Sequence, residues 1–402
     1  MEIYTKTKGL LRNETLRVSD SAASGRLRKH VSPVRRIDWE DRPLRSGRGG
    51  KRMRRKNQVR RSVAVSVLLM AALFLLPLLV IAPFRTALFN REAPVDETGE
   101  QEALPPFSSG NLDAAARLRV LDGDEVLEMD LGEYLVGVVR AEMPASFAQE
   151  ALKAQAVAAR TYTLYKIQTG GNHENADICT NYACCQAYIS EEKARANWGD
   201  AADENERKVE EAVSATDGQT ILYGGVPVLA VFHSSSAGLT RGAGEVWMND
   251  LPYLQPVESP EPADSIPNYY SRVEFTPEEF REKFLAAHPE ADFSETISRW
   301  LRDAVKDTAG SVTKVTVGGV PVRGSGLRTI LGLRSACFDW EVQDGKLVFF
   351  VTGYGHGVGM SQYGANAMAE AGSDYREILT HYYTGVTVEP YPADLFTRDG
   401  GT

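Results

Sequence analysis

The chain has only four cysteines and six histidines in 402 residues, and it lacks the short motifs that mark several large enzyme classes. No GxSxG elbow is present, which argues against a serine hydrolase of the α/β type. The glycine run near residue 355 misses the GxGxxG spacing and distal acid of a dinucleotide site, and no Walker lysine accompanies it. Internal repeats and heptads are absent, so solenoids and coiled coils are not expected. Strands and helices do not alternate as βαβ units, which makes a doubly wound parallel sheet unlikely as an architecture.

Charge is missing from one stretch as well. Residues 62–82 include Val63, Leu68, Leu73, Phe74, Leu78 and Ile81 and hold no acid or base. Twenty-one such residues are long enough to cross a bilayer. Lys51, Arg52, Arg54, Arg55, Lys56, Arg60 and Arg61 precede it, which places that side in the cytoplasm. A cleaved secretory signal is the rival, but a basic region of 61 residues is too long for one and no small-residue cleavage site follows cleanly. Residues 1–61 carry 19 Lys+Arg against 6 Asp+Glu, a net of +13 in a chain of net −9, leaving −22 for the remainder. The two parts are therefore expected in different surroundings. The expected organisation is a disordered basic cytoplasmic tail (1–61), a transmembrane helix (62–84), an acidic Pro- and Ser-containing linker (85–113), an extracytoplasmic domain (114–392) and a short C-terminal tail (393–402). Topology accounts for the basic tail, so no nucleic-acid partner is expected.

Within 114–392 the pattern predicts a mixed α+β fold: hairpin-rich β elements, packed helices and an inserted helical lobe. Hairpins are expected around Asp122-Gly123-Asp124, Gly224-Gly225 and Gly318-Gly319, and a strand at 347–351. Asp130 with Glu133 signals a helix start, as do Ser146 with Gln149 and Thr276 with Glu279. A helix is expected at 205–215 and others from Ser361 and Tyr375. Residues 294–307, with Ile297, Trp300, Leu301 and Val305, complete the expected helical lobe.

The most informative run begins at Ala141-Glu142-Met143-Pro144. Proline biases the residue before it away from the helical region, so the preceding helix stops here and Glu142 sits at a corner between two helices. Near a helix C-terminus the macrodipole is negative and favours the protonated carboxyl, which suits a general acid. On spacing alone the commoner reading is a solvated helix-end glutamate.

His173, Cys179, Cys184 and Cys185 fall within 13 residues. Three thiolates and one imidazole complete a tetrahedral zinc site, while a disulfide from Cys179 to Cys184 or Cys185 is the alternative outside the cytoplasm. Spacing leaves both open. Cys337 stands alone and reads as a small buried hydrophobe. His233 and Ser234 are adjacent after a strand and point to opposite faces, so His233 does not readily activate Ser234. The glycines at 353, 355, 357 and 359 serve either a tight turn or a wall against which substrate lies. His356 has room to face a cleft there, whereas His381 reads as structural.

Taken together, 134–139 with Glu142-Met143-Pro144, the 153–160 helix, Phe232-His233-Ser234-Ser235 and the loop 353–364 resemble the stage II sporulation protein D family, also called the SpoIID/LytB domain. The resemblance runs from about 117 to 391 and its blocks occur in family order. It implies a membrane-anchored lytic transglycosylase that cuts peptidoglycan glycan strands freed of stem peptides to 1,6-anhydro-N-acetylmuramic acid ends, with Glu142 as catalytic acid/base. It implies a structural zinc at His173, Cys179, Cys184 and Cys185 and no catalytic cofactor. Lys153, Arg160, His233, Ser234, His356, Gln362 and Tyr363 are then weaker candidates for binding glycan. The family also implies a cell-wall amidase and a membrane protein as partners during engulfment of the forespore, on the mother-cell side. A non-catalytic enhancer of a cell-wall amidase and a septal scaffold are the alternatives.

Overall fold

A computed structural model describes residues 110–392 apart from 172 and 248. The charge-free run, the basic tail and most of the linker lie outside them. Among the described residues no helix is long and apolar enough to cross a membrane. A short helix, α1 (Asn111–Ala115), leads into the hairpin of β1 (Arg117–Asp122) and β2 (Glu125–Asp130). Gly123 takes φ +60° in its turn, a conformation glycine adopts without a steric cost. The two strands pair from Arg117↔Asp130 to Asp122↔Glu125.

Asp130 then caps α2 (Leu131–Glu142): its carboxylate accepts the Glu133 N–H, and the Glu133 carboxylate accepts the Asp130 N–H, each at 2.9 Å. The helix stops because Met143, preceding Pro144, is extended at φ −126°, ψ 135°. The next helix, α3 (Gln149–Gln168), has its cap two residues later than the expected Ser146, which is exposed. A turn closed by Phe147 N–H to Pro144 O occupies the intervening residues. The cap position falls to Ala148, whose N–H is taken by the Asn366 side chain at 2.8 Å. A distant residue therefore satisfies the cap N–H, the bond that the local pattern assigned to Gln149, and no side chain caps the first turn.

α3 is buried on most of its circumference, through Ala151, Leu152, Ala154, Val157 and Ala158 among others. Small side chains let neighbouring elements approach its backbone closely. Around it pack α2, the helix α5 (Ala202–Ser214) and the strand β4 (Gln219–Tyr223), while α4 (Glu191–Trp198) lies against α5 and α2. In chain order, β3 (Ile178–Cys179) precedes α4 and joins β1 in parallel, Leu121 opposite Cys179. After β4 come β5 (Val226–Pro227), β6 (Phe232–His233) and α6 (Ala243–Val246). Each large apolar side chain buried in this core contributes about 1.5–3 kcal/mol, and a charged replacement at Leu135 or Val157 would break it.

The inserted lobe has its own aromatic core of Phe280, Phe284, Trp300, Phe338 and Phe349. It contains β7 (Tyr270–Phe275), α7 (Pro277–Ala287), β8 (Leu301–Lys306), β9 (Val312–Val317), β10 (Val320–Arg323), α8 (Gly324–Leu331), β11 (Phe338–Gln343) and β12 (Lys346–Thr352). Two three-stranded sheets, β10-β9-β8 and β11-β12-β7, dominate it, so the expectation of a helical lobe is corrected. The apolar spacing at 297–305 imitates a helix, but only a 3₁₀ turn forms at Ile297–Arg299. Leu301 then pairs with Val317 while Arg302 and Lys306 point to water. Strand pairing outweighs the local period. Cys337 in this lobe is half-buried, with its thiol 3.6 Å from the Gly310 carbonyl.

An ion pair ties the lobe to the first core. Arg241 Nε lies 2.6 Å from Asp307 Oδ2, with side chains 4% and 1% exposed. The chain returns to the first core through β13 (Met360–Ser361), α9 (Gln362–Glu370), α10 (Tyr375–Tyr382) and β14 (Thr387–Pro390). β13 pairs in parallel with β6, Ser361 opposite His233. This pairing sets His233 and Ser234 beside Gln362 and Tyr363.

Candidate active site and metal-ligand cluster

A cleft of about 580 Å³ opens where the end of α2, the cysteine loop, β6 and the start of α9 meet. Glu142 lines it from the corner that Pro144 enforces. Its Oε1 accepts the Ala187 N–H at 2.8 Å, and Gln362 Nε2 donates to its backbone carbonyl at 2.9 Å. Burial raises the carboxyl above its ordinary range, while the Ala187 N–H and the Gln362 amide pull it partly back down. Desolvation is thus the leading cause of the acid character. Among the described residues no other carboxylate lines the cleft.

His233, Ser234, Gln362 and Tyr363 line the same cleft. Three of the sequence candidates do not. Arg160 is wholly buried, its guanidinium held by Asp113 at 2.6 Å and by backbone carbonyls, so it serves the core. Lys153 pairs with Glu150 at 2.7 Å on α3. His356 is half-buried between His233 and Trp247, and its Nδ1 accepts the Val358 N–H at 3.1 Å. Its glycine-rich loop both packs closely and walls the cleft through Tyr354 and Gly355: a Cβ at Gly355, which has φ +119°, would lie 2.7 Å from the His233 Cβ, and one at Gly359 would strike the Val231 carbonyl. His381 Nε2 donates to the Glu258 carbonyl and lies outside the cleft.

Several cleft residues were not singled out by sequence. Tyr182, on the cysteine loop, is 82% exposed, and Trp198 ends α4; both line the cleft with Tyr354, whose ring is covered by the Arg334 guanidinium at 4.0 Å. Exposed aromatic faces in a polar cleft suit the C–H faces of sugars. The only available signal for Tyr182 was its place between Cys179 and Cys184.

All four cysteines are free, and the ligand atoms of His173, Cys179, Cys184 and Cys185 lie within 4.8 Å of one another. Cys184 Sγ and Cys185 Sγ are 3.9 Å apart, and they stand 3.5 and 3.7 Å from His173 Nε2. Tetrahedral Zn–S bonds of about 2.3 Å place neighbouring sulfurs about 3.8 Å apart, so the donor set and its spacing fit such an ion. Two residues beyond Cys185, Ala187 supplies the N–H on Glu142. The loop that bears the cluster thus also supplies a donor to the carboxyl.

Residues 122–223 match the family model described as stage II sporulation protein (SpoIID), a range that takes in Glu142 and all four cluster residues. Stage II sporulation protein D of Bacillus amyloliquefaciens is 36% identical over 282 residues, covering 67% of this chain and 77% of that protein. Its namesake from Bacillus subtilis (strain 168) is 33% identical over 345 residues, 83% of this chain and 96% of that protein. The amidase enhancer of Bacillus subtilis (strain 168) is 30% identical over 308 residues, 64% of this chain and 40% of that protein. Matches that take in most of two such relatives establish that the chain belongs to the stage II sporulation protein D family.

Proposed function

We propose that this protein is a lytic transglycosylase that cuts peptidoglycan glycan strands, freed of stem peptides, during sporulation. The observation that carries the reading is a single carboxyl, raised by burial, in a cleft with no second carboxylate among the described residues. Hydrolysis by water recruits a second carboxylate to activate the water or attack the sugar. In the transglycosylase reaction the C6 hydroxyl of the muramic acid takes that place. Glu142 gives its proton to the glycosidic oxygen as the C1–O bond breaks, and the C6 oxygen bonds to C1. The ionised Glu142 then receives the C6 hydroxyl proton, so no water is consumed and the acid is restored.

The full chain in detergent, incubated with peptide-free glycan strands, should release products with 1,6-anhydro ends. Glu142→Gln should lower that rate by about 10²–10⁴. Anhydro ends at the wild-type rate from the variant would remove Glu142 from this role. The relative named amidase enhancer favours a second reading, a non-catalytic stimulator of a cell-wall amidase. That reading expects faster peptide release by an added amidase and no anhydro ends.

The cluster of His173, Cys179, Cys184 and Cys185 is assigned to a structural zinc. Four protein ligands leave no open position for water, and such an ion would fix the loop that bears Ala187 and Tyr182. No catalytic cofactor is called for. Residues 62–84 are assigned to a membrane anchor that sets the domain outside the cytoplasm, and an amidase and a membrane protein of the engulfment machinery are the proposed partners.

A further inference from the structure

We infer that Gln155, on α3, is a positioning residue for Glu142: its side-chain oxygen orients the Gln362 amide that holds the Glu142 corner in place. The inference rests on the reading of Glu142 as the general acid. Glu142 is the last residue of α2 and Met143 turns away in an extended conformation, so the Glu142 carbonyl has no partner within its own helix. Gln362 Nε2 supplies one from α9 at 2.9 Å, and the same nitrogen donates to Gln155 Oε1 at 3.3 Å. One NH₂ group thus has a hydrogen for each of two acceptors, and it joins α2, α3 and α9 at a single point. The backbone around Gln362 is fixed separately. Ser361 stands opposite His233 in the β13–β6 pair, and its Oγ accepts the Gly364 N–H at 3.2 Å.

A backbone carbonyl only accepts, so the Gln362 atom that faces it is the nitrogen, and a flipped amide would set oxygen against oxygen at both Glu142 and Gln155. One bond would leave the amide free to swing; the second fixes its plane. Its donor end then stays toward the corner, where it favours the ionised carboxyl. Gln155 itself is wholly buried, on the same face of α3 as the buried Ala151, Ala158 and Ala159. Its own Nε2 has no partner among the described residues. A half-paired amide in an apolar interior carries a cost that a methionine of similar length would avoid. Packing gives no reason for glutamine at this position, and the bond to Gln362 does. Burial, the Ala187 N–H and the Gln362 amide act on the Glu142 carboxyl. The other titratable side chains lining the cleft are Arg140, Tyr182, His233, Tyr354 and Tyr363, and the variants below leave them unaltered.

The test is a pH–rate profile of anhydro-end release from peptide-free glycan strands, using the full chain in detergent. Wild type is compared with Gln155→Met, Gln362→Met and the double variant. Gln155→Met should lower kcat about threefold to tenfold with KM little changed, because the residue touches no substrate. Its alkaline limb should move to higher pH, the direction expected of Gln362→Met, since a loosened amide favours the ionised carboxyl less. The double variant should move the limb no further than Gln362→Met alone, because Gln155 acts only through that amide. Gln155→Ser also withdraws the acceptor, adds no bulk, and carries the same comparison where methionine is not accommodated. A residue that only filled space would change the melting temperature and leave the limb in place. An unmoved limb in the folded Gln155 variants, or full additivity in the double variant, overturns this inference alone. Wild-type protein that releases no anhydro ends, or releases them equally after Glu142→Gln, overturns the general-acid reading and this inference with it.

Discussion

Glu142 acquires its acid character from where Pro144 leaves it, and two polar contacts moderate that character. Because the Gln362 amide favours the ionised form, Gln362→Met should raise the carboxyl's pKa further. A reaction that needs the protonated acid falls off as pH rises through that pKa. Its alkaline limb should therefore move to higher pH in the variant, as a pH–rate profile would show; a limb that moves down contradicts the assignment. Stability follows the same sign. A carboxyl raised in the folded state contributes most below its unfolded value, and that contribution is lost as pH rises through the folded value. Glu142→Gln should consequently raise the melting temperature at neutral pH and leave it nearly unchanged in acid. Much of this site was legible as residues: the Met-Pro corner pointed to Glu142, and the adjacency of His233 and Ser234 ruled out mutual activation. Burial was not legible. Arg160 reads as a cation available to substrate until Asp113, 47 residues earlier, closes around it.

Elements with purely local causes were readable, and those with distant causes were not. The 117–130 hairpin, the Asp130 and Thr276 capping boxes and the Gly318-Gly319 turn each depend on neighbours in sequence. The start of α3 depends on Asn366, and the strand at 301–306 depends on β9, so both were misplaced by pattern alone. The Arg241–Asp307 pair that fixes the lobe spans 66 residues and left no trace in spacing. Asp307→Ala strands a buried guanidinium and should cost about 3–5 kcal/mol in denaturant unfolding, whereas the apolar pair Arg241→Met with Asp307→Leu should regain most of it. The cysteine loop makes a second element-scale prediction. Purified protein should hold about one zinc per chain by metal analysis. Cys184→Ser should lose the metal, lower the melting temperature and, through Ala187, disturb the pH limb of Glu142. Retention of full metal content by that variant would place the ion elsewhere.

For the molecule as a whole, the split of +13 in residues 1–61 against −22 beyond them is the ground on which two compartments are proposed. The proposed anchor predicts that a periplasmic-type reporter fused after residue 402 is active only outside the cytoplasm, and that deleting 62–84 releases the protein from membranes. The described domain brings four segments distant in sequence to one cleft: the 142 corner, the cysteine loop, the strand at 232–233 and the start of α9. Family membership connects that cleft to the cell wall, and the lone carboxyl argues for intramolecular attack within the substrate in place of water. The direct test is product analysis on peptide-free glycan strands in ¹⁸O-labelled water, comparing wild type with Glu142→Gln. The account predicts anhydro ends without incorporated ¹⁸O from the wild type and almost none from the variant. Reducing ends that carry ¹⁸O, or equal anhydro yields from both proteins, would contradict it.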